Sequence, residues 1–252
     1  MADETSVIAG RNPVREALER GERSVEKVLL AKGASGRPID AIRHAAKKAG
    51  VPVQFVPQPK LNALAPGVNH QGVVAVASAI EYADLEAMLH NVAATPDVVR
   101  ERKPVLVAID EITDPHNFGA ILRSAVAAGA SGVVVPERNM APLSATTLKA
   151  SAGTATRIPV ARTGNLADAL LQLKERGYWV VGLDGDGEDT VWTLDWDRAV
   201  VLVVGSEGKG LRPRVRDLCD HRVAIPMRGP AESLNASVAT GVALFAAVRE
   251  RD

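Results

Sequence analysis

Residues 104–136 read PVLVAIDEITDPHNFGAILRSAVAAGASGVVVP. This stretch predicts a strand over Val105–Ile109, a helix over Phe118–Ala128 and a second strand over Gly132–Val135. Both predicted strands are short apolar runs rich in valine, which are typical of strands buried on both faces. Two such strands joined by a helix predict a parallel βαβ unit, and they place the chain in the α/β class.

The alternation of strands and helices continues to the end of the chain, so residues 104–252 are predicted to form one domain. The further predicted elements are a helix near Ser144–Ser151, a strand at Ile158–Val160, a helix at Leu166–Arg176, strands at Tyr178–Leu183, Ala199–Val204 and Val223–Pro226, and a closing helix to about Arg249. This order predicts a mainly parallel sheet with helices on both of its faces.

Residues 1–80 are predicted to form a small α/β domain of their own. Its predicted elements are a helix that opens at Asn12 and Pro13, a strand at Val25–Leu30, a helix at Ile39–Ala49, and strands at Val51–Val56 and Val73–Ala77. Residues 81–103 combine a possible short helix at Tyr82–Asn91 with a polar stretch that contains Pro96. We expect this part of the chain to be a linker.

The composition is that of an ordinary globular protein, with 46% hydrophobic and 24% charged residues among 252. No apolar run approaches the roughly 20 residues that a bilayer span requires, and the first ten residues lack the apolar core of a signal peptide. One cysteine, Cys219, excludes an internal disulfide framework, and the five histidines have no metal-ligand spacing. We therefore expect a cytoplasmic protein without membrane or metal partners.

Charge is distributed unevenly although the formal net charge is zero. Residues 1–80 carry 11 basic and 7 acidic side chains, which would suit contact with phosphates, although charge alone favours a plain solvated surface. Arg11 and Arg15 lie four residues apart and share one face of the first predicted helix. A second basic cluster, which includes Lys209 and Arg212, could continue a path for RNA.

Familiar motifs of phosphate and metal binding are absent. The turn Gly205–Gly210 has neither the Gly-Lys-Ser/Thr ending of a P-loop nor the glycine spacing of the dinucleotide fingerprint. The acidic turn Asp184–Asp189 lacks the glycine that a calcium loop needs. No nucleophile elbow of the Gly-x-Ser-x-Gly type is present either, so hydrolase, NTPase and dehydrogenase functions are not indicated.

Three polar segments remain, each at the C-terminal end of a predicted strand, where open α/β sheets bind ligands. They are Asp114–Arg123, the turn Gly205–Gly210 with its Glu207, and Ile225–Gly229 followed by Ser233–Ser237. Each has a structural alternative. Arg123 could extend to solvent, Glu207 could be a solvated turn residue, and Ser233 or Asn235 could cap the last helix.

Taken together, the three segments resemble the SpoU branch of the SPOUT methyltransferases. The family pattern Asp-Pro-x-Asn-x-Gly-Ala-x-x-Arg corresponds to Asp114–Arg123, and Gly-x-Glu-Gly-x-Gly corresponds to Gly205–Gly210. Ile-Pro-Met followed by Ser-Leu-Asn-x-Ser corresponds to Ile225–Met227 and Ser233–Ser237. Three motifs in the family order across about 120 residues are much more specific than any one of them.

The resemblance extends to the N-terminal region. Ile8–Val14 and His70–Gly72 resemble the RNA-binding domain of the RlmB-type subfamily, which methylates a guanosine ribose in large-subunit, 23S-type rRNA. Three positions depart from the usual family residues: Ser206 replaces alanine, Ala236 replaces valine and Glu111 replaces glycine. These residues lie beside the polar positions and leave them intact.

The resemblance implies a fold and a set of roles. It implies a trefoil knot in the C-terminal domain, a homodimer with the site near its interface, and S-adenosylmethionine held by the backbones of Gly205, Ile225 and Leu234. It implies catalytic or pocket-forming roles for Arg123, Asn117, Glu207, Ser233 and Asn235. Because a guanidinium is a poor base at neutral pH, we expect Arg123 to bind the target phosphate and stabilise the developing alkoxide.

Other functions stay open at the level of sequence. The chain could methylate tRNA, or an rRNA adenosine in the manner of antibiotic-resistance enzymes. It could also be a ribosome-assembly factor that binds RNA on this scaffold without catalysis. The full set of polar family residues favours an enzyme, and the N-terminal domain favours rRNA over tRNA.

Overall fold

The computed structural model describes residues 7–20, 25–78, 80–249 and 251. The first residues, on which the absence of a signal peptide was judged, therefore lie outside the described part. The chain falls into two compact units. The first extends to Glu81 and includes Pro142–Thr146, and the second contains Tyr82–Ala141 and the chain from Thr147 onward. Within the described part, no helix is long and apolar enough to cross a membrane.

The first unit is built on a four-stranded mixed sheet. Its elements are β1 (Val7–Ala9), α1 (Arg11–Arg20), β2 (Val25–Ala31), α2 (Arg37–Lys48), β3 (Val53–Val56), α3 (Gln58–Leu64) and β4 (Val73–Ala77). The strand order is β1-β4-β2-β3, with β2 and β3 parallel and β4 antiparallel to both of its neighbours. The mixed sheet agrees with the predicted small α/β domain.

Alternating side chains of β2 give this sheet a core on each face. Leu30 packs in one cluster with Ile39 and Ile42 of α2, whereas the adjacent Leu29 packs in the other cluster with Leu61 of α3. Successive residues of a strand point to opposite faces, so an unbroken apolar strand requires helices on both sides.

The second unit holds the larger sheet. Its elements are α4 (Leu85–Val92), α5 (Pro96–Arg102), β5 (Val105–Ile109), α6 (Pro115–Ala127), β6 (Gly132–Pro136), α7 (Ala145–Ala150, whose first two residues belong to the first unit), a 3-10 turn (Thr154–Arg157), β7 (Val160–Thr163), α8 (Leu166–Glu175), β8 (Trp179–Leu183), β9 (Asp189–Thr190), β10 (Val200–Val204), α9 (Pro213–Asp217), β11 (His221–Ala224) and α10 (Ala236–Val248).

All neighbouring strands of the seven-stranded sheet run parallel, in the order β7-β6-β5-β10-β8-β11-β9. This confirms the predicted α/β class and the parallel sheet. The register aligns Val204 of β10 with Ile109 of β5 on one side and with Leu183 of β8 on the other. The C-terminal ends of these three strands therefore meet at one edge. Strand β11 pairs with β8, with Val223 opposite Leu183, and brings the third polar segment to the same edge.

The stretch 81–103, which we expected to be a linker, supplies α4 and α5 to the second unit. Met88, Leu89 and Val99 are at most 3% exposed and belong to the same core cluster as Leu106 and Leu170. Short helices with few apolar positions leave a weak periodic pattern, so this packing was not visible in the sequence.

Other elements differ from the prediction at their ends. The strand expected at Ile158–Val160 begins at Val160, after Pro159, which has no N–H to donate to a ladder. The strand expected at Val223–Pro226 spans His221–Ala224 and likewise stops before a proline. Helices α3, α5 and α9 and the two-residue strand β9 were not predicted, because each is too short to show a period.

Candidate active site

The first polar segment enters α6 through a helix cap. Both carboxylate oxygens of Asp114 accept hydrogen bonds, from the backbone N–H groups of His116 at 3.1 Å and Asn117 at 3.4 Å. Pro115 occupies the first helical position, where its missing N–H costs nothing. The helix therefore begins three residues before the predicted Phe118, and Asn117 lies in its first turn.

The second polar segment is a turn that closes on itself. Ser206 and Gly210 exchange two backbone hydrogen bonds of 3.1 and 2.9 Å. A Cβ atom on Gly205 would lie 2.2 Å from the carbonyl carbon of Gly210, so no other residue fits at this position without moving the turn. This closure fixes Glu207 at the tip, beyond the end of β10.

A three-way hydrogen-bond network joins the three polar segments. Asn117 Nδ2 donates to Glu207 Oε1 at 3.0 Å, and Asn235 Nδ2 donates to Asn117 Oδ1 at 3.0 Å. Asn235 Nδ2 also donates to Glu207 Oε1. Residues that are 118 and 28 positions apart in sequence thus meet side chain to side chain.

Asn235 holds this network in a defined orientation. Its Oδ1 accepts from the backbone N–H groups of Ser237 at 2.9 Å and Val238 at 3.4 Å, so the side chain caps α10. With the oxygen committed to the cap, the amide nitrogen must point toward Glu207 and Asn117. The capping alternative therefore holds for Asn235, and its role in the pocket stays a prediction.

A cavity of about 690 Å³ lies beside the network. It is lined by Gly205, Ile225 and Leu234, the three residues whose backbones were expected to hold the cofactor, and also by Glu207, Ser233 and Asn235. Its volume falls within the range of roughly 300–1,000 Å³ that is usual for cofactor sites.

The lining of the cavity suits S-adenosylmethionine. Apolar side chains such as Leu183 and Val204 can cover an adenine ring, and the glycines allow backbone groups to approach its edge. The acidic side chains of Glu207 and Glu232 give the cavity a negative character that matches a cationic sulfonium. The residues present therefore fit this cofactor.

Arg123 lies outside the network. It is exposed on α6, it does not line the cavity, and no hydrogen bond or ion pair engages it in the described part of the chain. Glu207 binds the two asparagine amides, and none of its hydrogen bonds in the described part of the chain is to Arg123. The structure thus brings together Asn117, Glu207, Ser233 and Asn235 but leaves Arg123 free to bind a group from outside the chain.

An ion pair that the sequence analysis missed anchors the glycine turn. Asp110 is fully buried, directly after β5, and its carboxylate accepts from the backbone N–H of Arg212 at 2.9 Å and from Arg212 Nε at 2.6 Å. Arg212 also reaches Glu111 at 3.4 Å. A buried carboxylate requires a partner, so an aspartate directly after an apolar strand was the available signal.

Most of the basic cluster around Arg212 is neutralised by acids from elsewhere in the second unit. Arg214 pairs with Asp168 at 3.1 Å, and Arg216 pairs with Asp184 at 2.9 Å. Arg222 pairs with Asp184 at 3.5 Å and with Glu188 at 3.0 Å. Among the six cations of 208–229, only Lys209 and Arg228 have no ion pair in the described part of the chain.

The two predicted RNA-binding arginines of the first unit have different surroundings. Arg11 Nε donates to the backbone oxygen of Gln71 at 3.3 Å, which leaves its other N–H groups available. Arg15 forms an exposed i, i+4 pair with Glu19 at 3.8 Å, a contact worth at most about 0.5 kcal/mol. Arg15 and Arg212 thus form ion pairs, whereas Arg11 and Lys209 have no acidic partner in the described part of the chain. An RNA contact by any of these four residues stays a prediction.

Cys219 does not supply nucleophilic chemistry. Burial raises the pKa of its thiol to about 12, and the nearby carboxylates of Asp220 and Asp184 act in the same direction. A thiol with this pKa stays protonated at neutral pH and is a poor nucleophile. Among the described residues, no group of three His, Cys, Asp or Glu side chains could hold a metal ion.

Two family models match the chain, one in each unit. The SpoU rRNA methylase family matches residues 104–245, and the model of RNA 2′-O ribose methyltransferase substrate binding matches residues 7–83. The first match covers more than half of the chain. The chain therefore belongs to the SpoU methyltransferase family, as the three motifs indicated.

Curated relatives align over nearly the whole length. A Bacillus subtilis protein of the TrmH family of tRNA/rRNA methyltransferases, YacO, is 39% identical over 100% of this chain and 98% of its own. A tRNA/rRNA methyltransferase of Mycobacterium ulcerans is 43% identical over 99% of this chain and 78% of its own.

Solved structures share the architecture of both units. The SpoU methyltransferase AviRb of Streptomyces viridochromogenes is 29% identical, with a TM-score of 0.61 over 97% of this chain and 89% of that chain. An rRNA methyltransferase of Sinorhizobium meliloti with bound AdoMet is 26% identical, with a TM-score of 0.61 over 98% and 87%. As a family member, this chain is an S-adenosylmethionine-dependent RNA 2′-O-ribose methyltransferase.

Proposed function

We propose that the chain methylates the ribose 2′-hydroxyl of a guanosine in large-subunit rRNA, in the manner of the RlmB-type enzymes. The observation that carries the chemistry is the Asn117–Glu207–Asn235 network beside a cavity of cofactor size. It joins all three family motifs in one site. The choice of rRNA depends on the first unit.

The extent of the structural matches favours rRNA over tRNA. The structural match to the TrmH/SpoU tRNA-modifying enzyme of A. aeolicus extends over 66% of this chain. The match to an enzyme of 2-OH methylation of C/U34 on tRNA extends over 59%. The rRNA methyltransferase of Sinorhizobium meliloti covers 98%. The substrate-binding unit at residues 7–83 is thus shared with an rRNA enzyme and exceeds what those tRNA enzymes contain. We place the reaction in the cytoplasm, where bacterial rRNA is found.

S-adenosylmethionine, when bound, supplies the methyl group, and the chain supplies binding and orientation. The backbones of Gly205, Ile225 and Leu234 hold the cofactor. Asn117 and Asn235 fix one oxygen of Glu207, and the second oxygen accepts a hydrogen bond from the target 2′-hydroxyl and orients it for attack. Ser233 completes the wall of the pocket through its hydroxyl group.

Arg123 completes the site by binding the phosphate next to the target ribose. Its guanidinium keeps its proton at neutral pH, so it acts by stabilising negative charge on the developing alkoxide and not as the base. The hydroxyl proton leaves along its hydrogen bond to the second carboxylate oxygen of Glu207, and the arginine-bound phosphate assists by holding the ribose in place. An exposed arginine without a partner in the described chain is suited to this role.

We further propose a homodimer and a knotted second unit, as in the family. The face of α10 that carries Val238 and Phe245 supports the dimer, since these side chains are 51% and 54% exposed and lie seven residues apart on one side of the helix. Helix α6, which carries Arg123, packs along α10. A second copy seated on this face would bring Arg123 close to the interface.

Mapping of 2′-O-methyl groups on rRNA and tRNA from cells with and without this protein tests the proposal. We expect one guanosine of the large-subunit rRNA to lose its ribose methyl group and to regain it when the gene is restored. Loss of a methyl group from tRNA, or from an rRNA adenosine, would replace the proposed substrate. An unchanged pattern would contradict the enzymatic function.

A further inference from the structure

The first unit contains a cavity that is separate from the methyl-transfer site. It has a volume of about 420 Å³ and lies where β2 ends and β4 begins. The residues that line it are Arg11, Ala31, Lys32, Gly33, Ala34, Gln58, Val68, Asn69, His70, Gln71 and Gly72. None of these residues is acidic, in contrast to the cofactor cavity of the second unit.

The lining offers positive charge, amide groups and an apolar side chain to an unpaired nucleotide. Arg11 and Lys32 provide positive charge, and no acidic partner neutralises Lys32 in the described part of the chain. Gln71 and Asn69 are exposed amides that can both donate and accept at a base edge. Val68 is 52% exposed and offers an apolar side chain at the edge of the cavity.

A buried histidine holds one wall of this cavity in place through hydrogen bonds and adds no charge to it. His70 is 5% exposed, and its Nδ1 accepts a hydrogen bond of 3.1 Å from the backbone N–H of Gly72. Because Nδ1 accepts, the ring proton lies on Nε2, which donates to Asn62 Oδ1 at 2.8 Å. The neutral ring therefore ties the turn at 69–72 to α3.

The same turn holds Gln71 in a backbone conformation that it would not adopt alone. Gln71 has φ +50° and Gly72 has φ +76°, so two successive residues lie in the left-handed region. Such strain in a non-glycine residue is often found at ligand sites, where it directs a side chain. Arg11 stabilises the conformation by its hydrogen bond to the Gln71 carbonyl.

We propose that this cavity binds one unpaired nucleotide of the RNA substrate, with its phosphate between Arg11 and Lys32 and its base against Val68 and the amides of Gln71 and Asn69. The proposal rests on the proposed function, because it names the part of the substrate that the first unit recognises. A nucleotide in an RNA helix presents its base edges poorly to side chains, whereas an unpaired nucleotide exposes them.

Two substitutions probe the site without disturbing its construction. Lys32→Ala removes a charge that has no ion pair within the described chain. Gln71→Gly removes the amide and suits the positive φ, so the turn is kept. Lys48→Ala, on α2 and outside the cavity, is the matched control for lost charge.

The measurement uses the full-length protein and a fluorescein-labelled single-stranded RNA of about twelve nucleotides, with the same sequence as a duplex for comparison. We expect wild type to prefer the single strand. The Lys32→Ala, Gln71→Gly double variant should bind it at least about tenfold more weakly, with a salt slope lower by about 0.7 for one lost phosphate contact. The Lys48→Ala control should stay within about twofold of wild type.

The proposal fails if the double variant binds like Lys48→Ala, or if wild type does not prefer the single strand to the duplex. S-adenosylmethionine binding and methyl transfer to rRNA are measured on the same samples. Methyl transfer by wild type together with unaltered RNA binding by the double variant would reject the cavity alone. Weakened RNA binding by the double variant without any methyl transfer by wild type would retain the cavity and reject the proposed reaction.

Discussion

Glu111 has a backbone conformation that favours glycine, the residue that many family members have at this position. Its φ is +66°, and its side chain accepts from Asn139 Nδ2 at 2.9 Å and pairs with Arg212 at 3.4 Å. The left-handed conformation of a non-glycine residue lowers the stability of the fold by roughly 1 kcal/mol, and the two partly exposed contacts of Glu111 raise it by about the same amount. The departure from the family pattern is therefore close to neutral for stability.

This balance gives a prediction for two substitutions of Glu111. Glu111→Ala keeps the strain and loses both contacts, so it should lower the free energy of unfolding by about 1 kcal/mol. Glu111→Gly also removes the strain and should leave stability nearly unchanged. Denaturant titration of the two variants checks the order, and an alanine variant as stable as the glycine variant would show that the positive φ carries no cost here.

Arg123→Ala separates chemistry from cofactor binding. Because Arg123 does not line the cavity and has no partner within the described chain, its loss should leave the affinity for S-adenosylmethionine within a few fold. Methyl transfer should fall almost to zero, and Arg123→Lys should recover little, since a point charge cannot replace the planar fork. Calorimetry and a methyl-transfer assay test both parts, and near-normal turnover by Arg123→Ala would make the residue dispensable.

Some residues of the site could be predicted from the sequence, and others could not. Asn117, Glu207 and Asn235 were predictable because they stand in family motifs. Asp110 was not, because its partner Arg212 is 102 residues away and ion pairing depends on the tertiary fold. The cluster around Arg212 looks more basic in the sequence than it is in the structure for the same reason. The acidic residues that neutralise it lie outside residues 208–229 and meet it only in the folded chain.

At the scale of elements, helix α6 depends on one glycine for its packing. A Cβ atom on Gly119 would lie 2.5 Å from the backbone oxygen of Thr147 and 2.6 Å from Ala150 Cβ. Neither neighbour is the end of a flexible side chain, so the helices would have to separate. The glycine of the first motif therefore has a packing role in addition to any catalytic one.

Gly119→Ala should consequently destabilise the protein by about 2 kcal/mol, because overpacking outweighs the roughly 1 kcal/mol that alanine gains in a helix. Gly164→Ala is the control, since a Cβ atom there meets only Glu137 Oε2 at 3.9 Å. The control should lose no stability in thermal unfolding. A Gly119→Ala variant as stable as wild type would mean that α6 can shift without cost.

The sequence predicted those elements correctly that have a strong apolar pattern of their own. The central strands β5, β8 and β10 were recognised because each is a continuous apolar run. Helices α4 and α5 were taken for a linker, because Pro96 and the charged residues around it suggest a break. In the structure this proline opens α5, with Thr95 as its cap.

At the scale of the whole molecule, α4 and α5 set the boundary of the catalytic unit. Each large apolar side chain that they bury stabilises the fold by roughly 1.5–3 kcal/mol, and Met88, Leu89 and Val99 together approach the total stability of a typical domain. A fragment that begins at residue 82 should fold and bind S-adenosylmethionine, whereas one that begins at 104 should be unfolded or aggregated. Circular dichroism and calorimetry distinguish these outcomes, and a stable, cofactor-binding fragment 104–252 would contradict the boundary.

The most direct test of the account is an assay with purified protein, S-adenosylmethionine labelled in its methyl group, and unmodified large-subunit rRNA or tRNA. After digestion to nucleosides, we expect the label in 2′-O-methylguanosine from rRNA and none in tRNA. Label on a base, label only in tRNA, or no transfer by protein that binds the cofactor would contradict the assignment of ribose methylation of an rRNA guanosine.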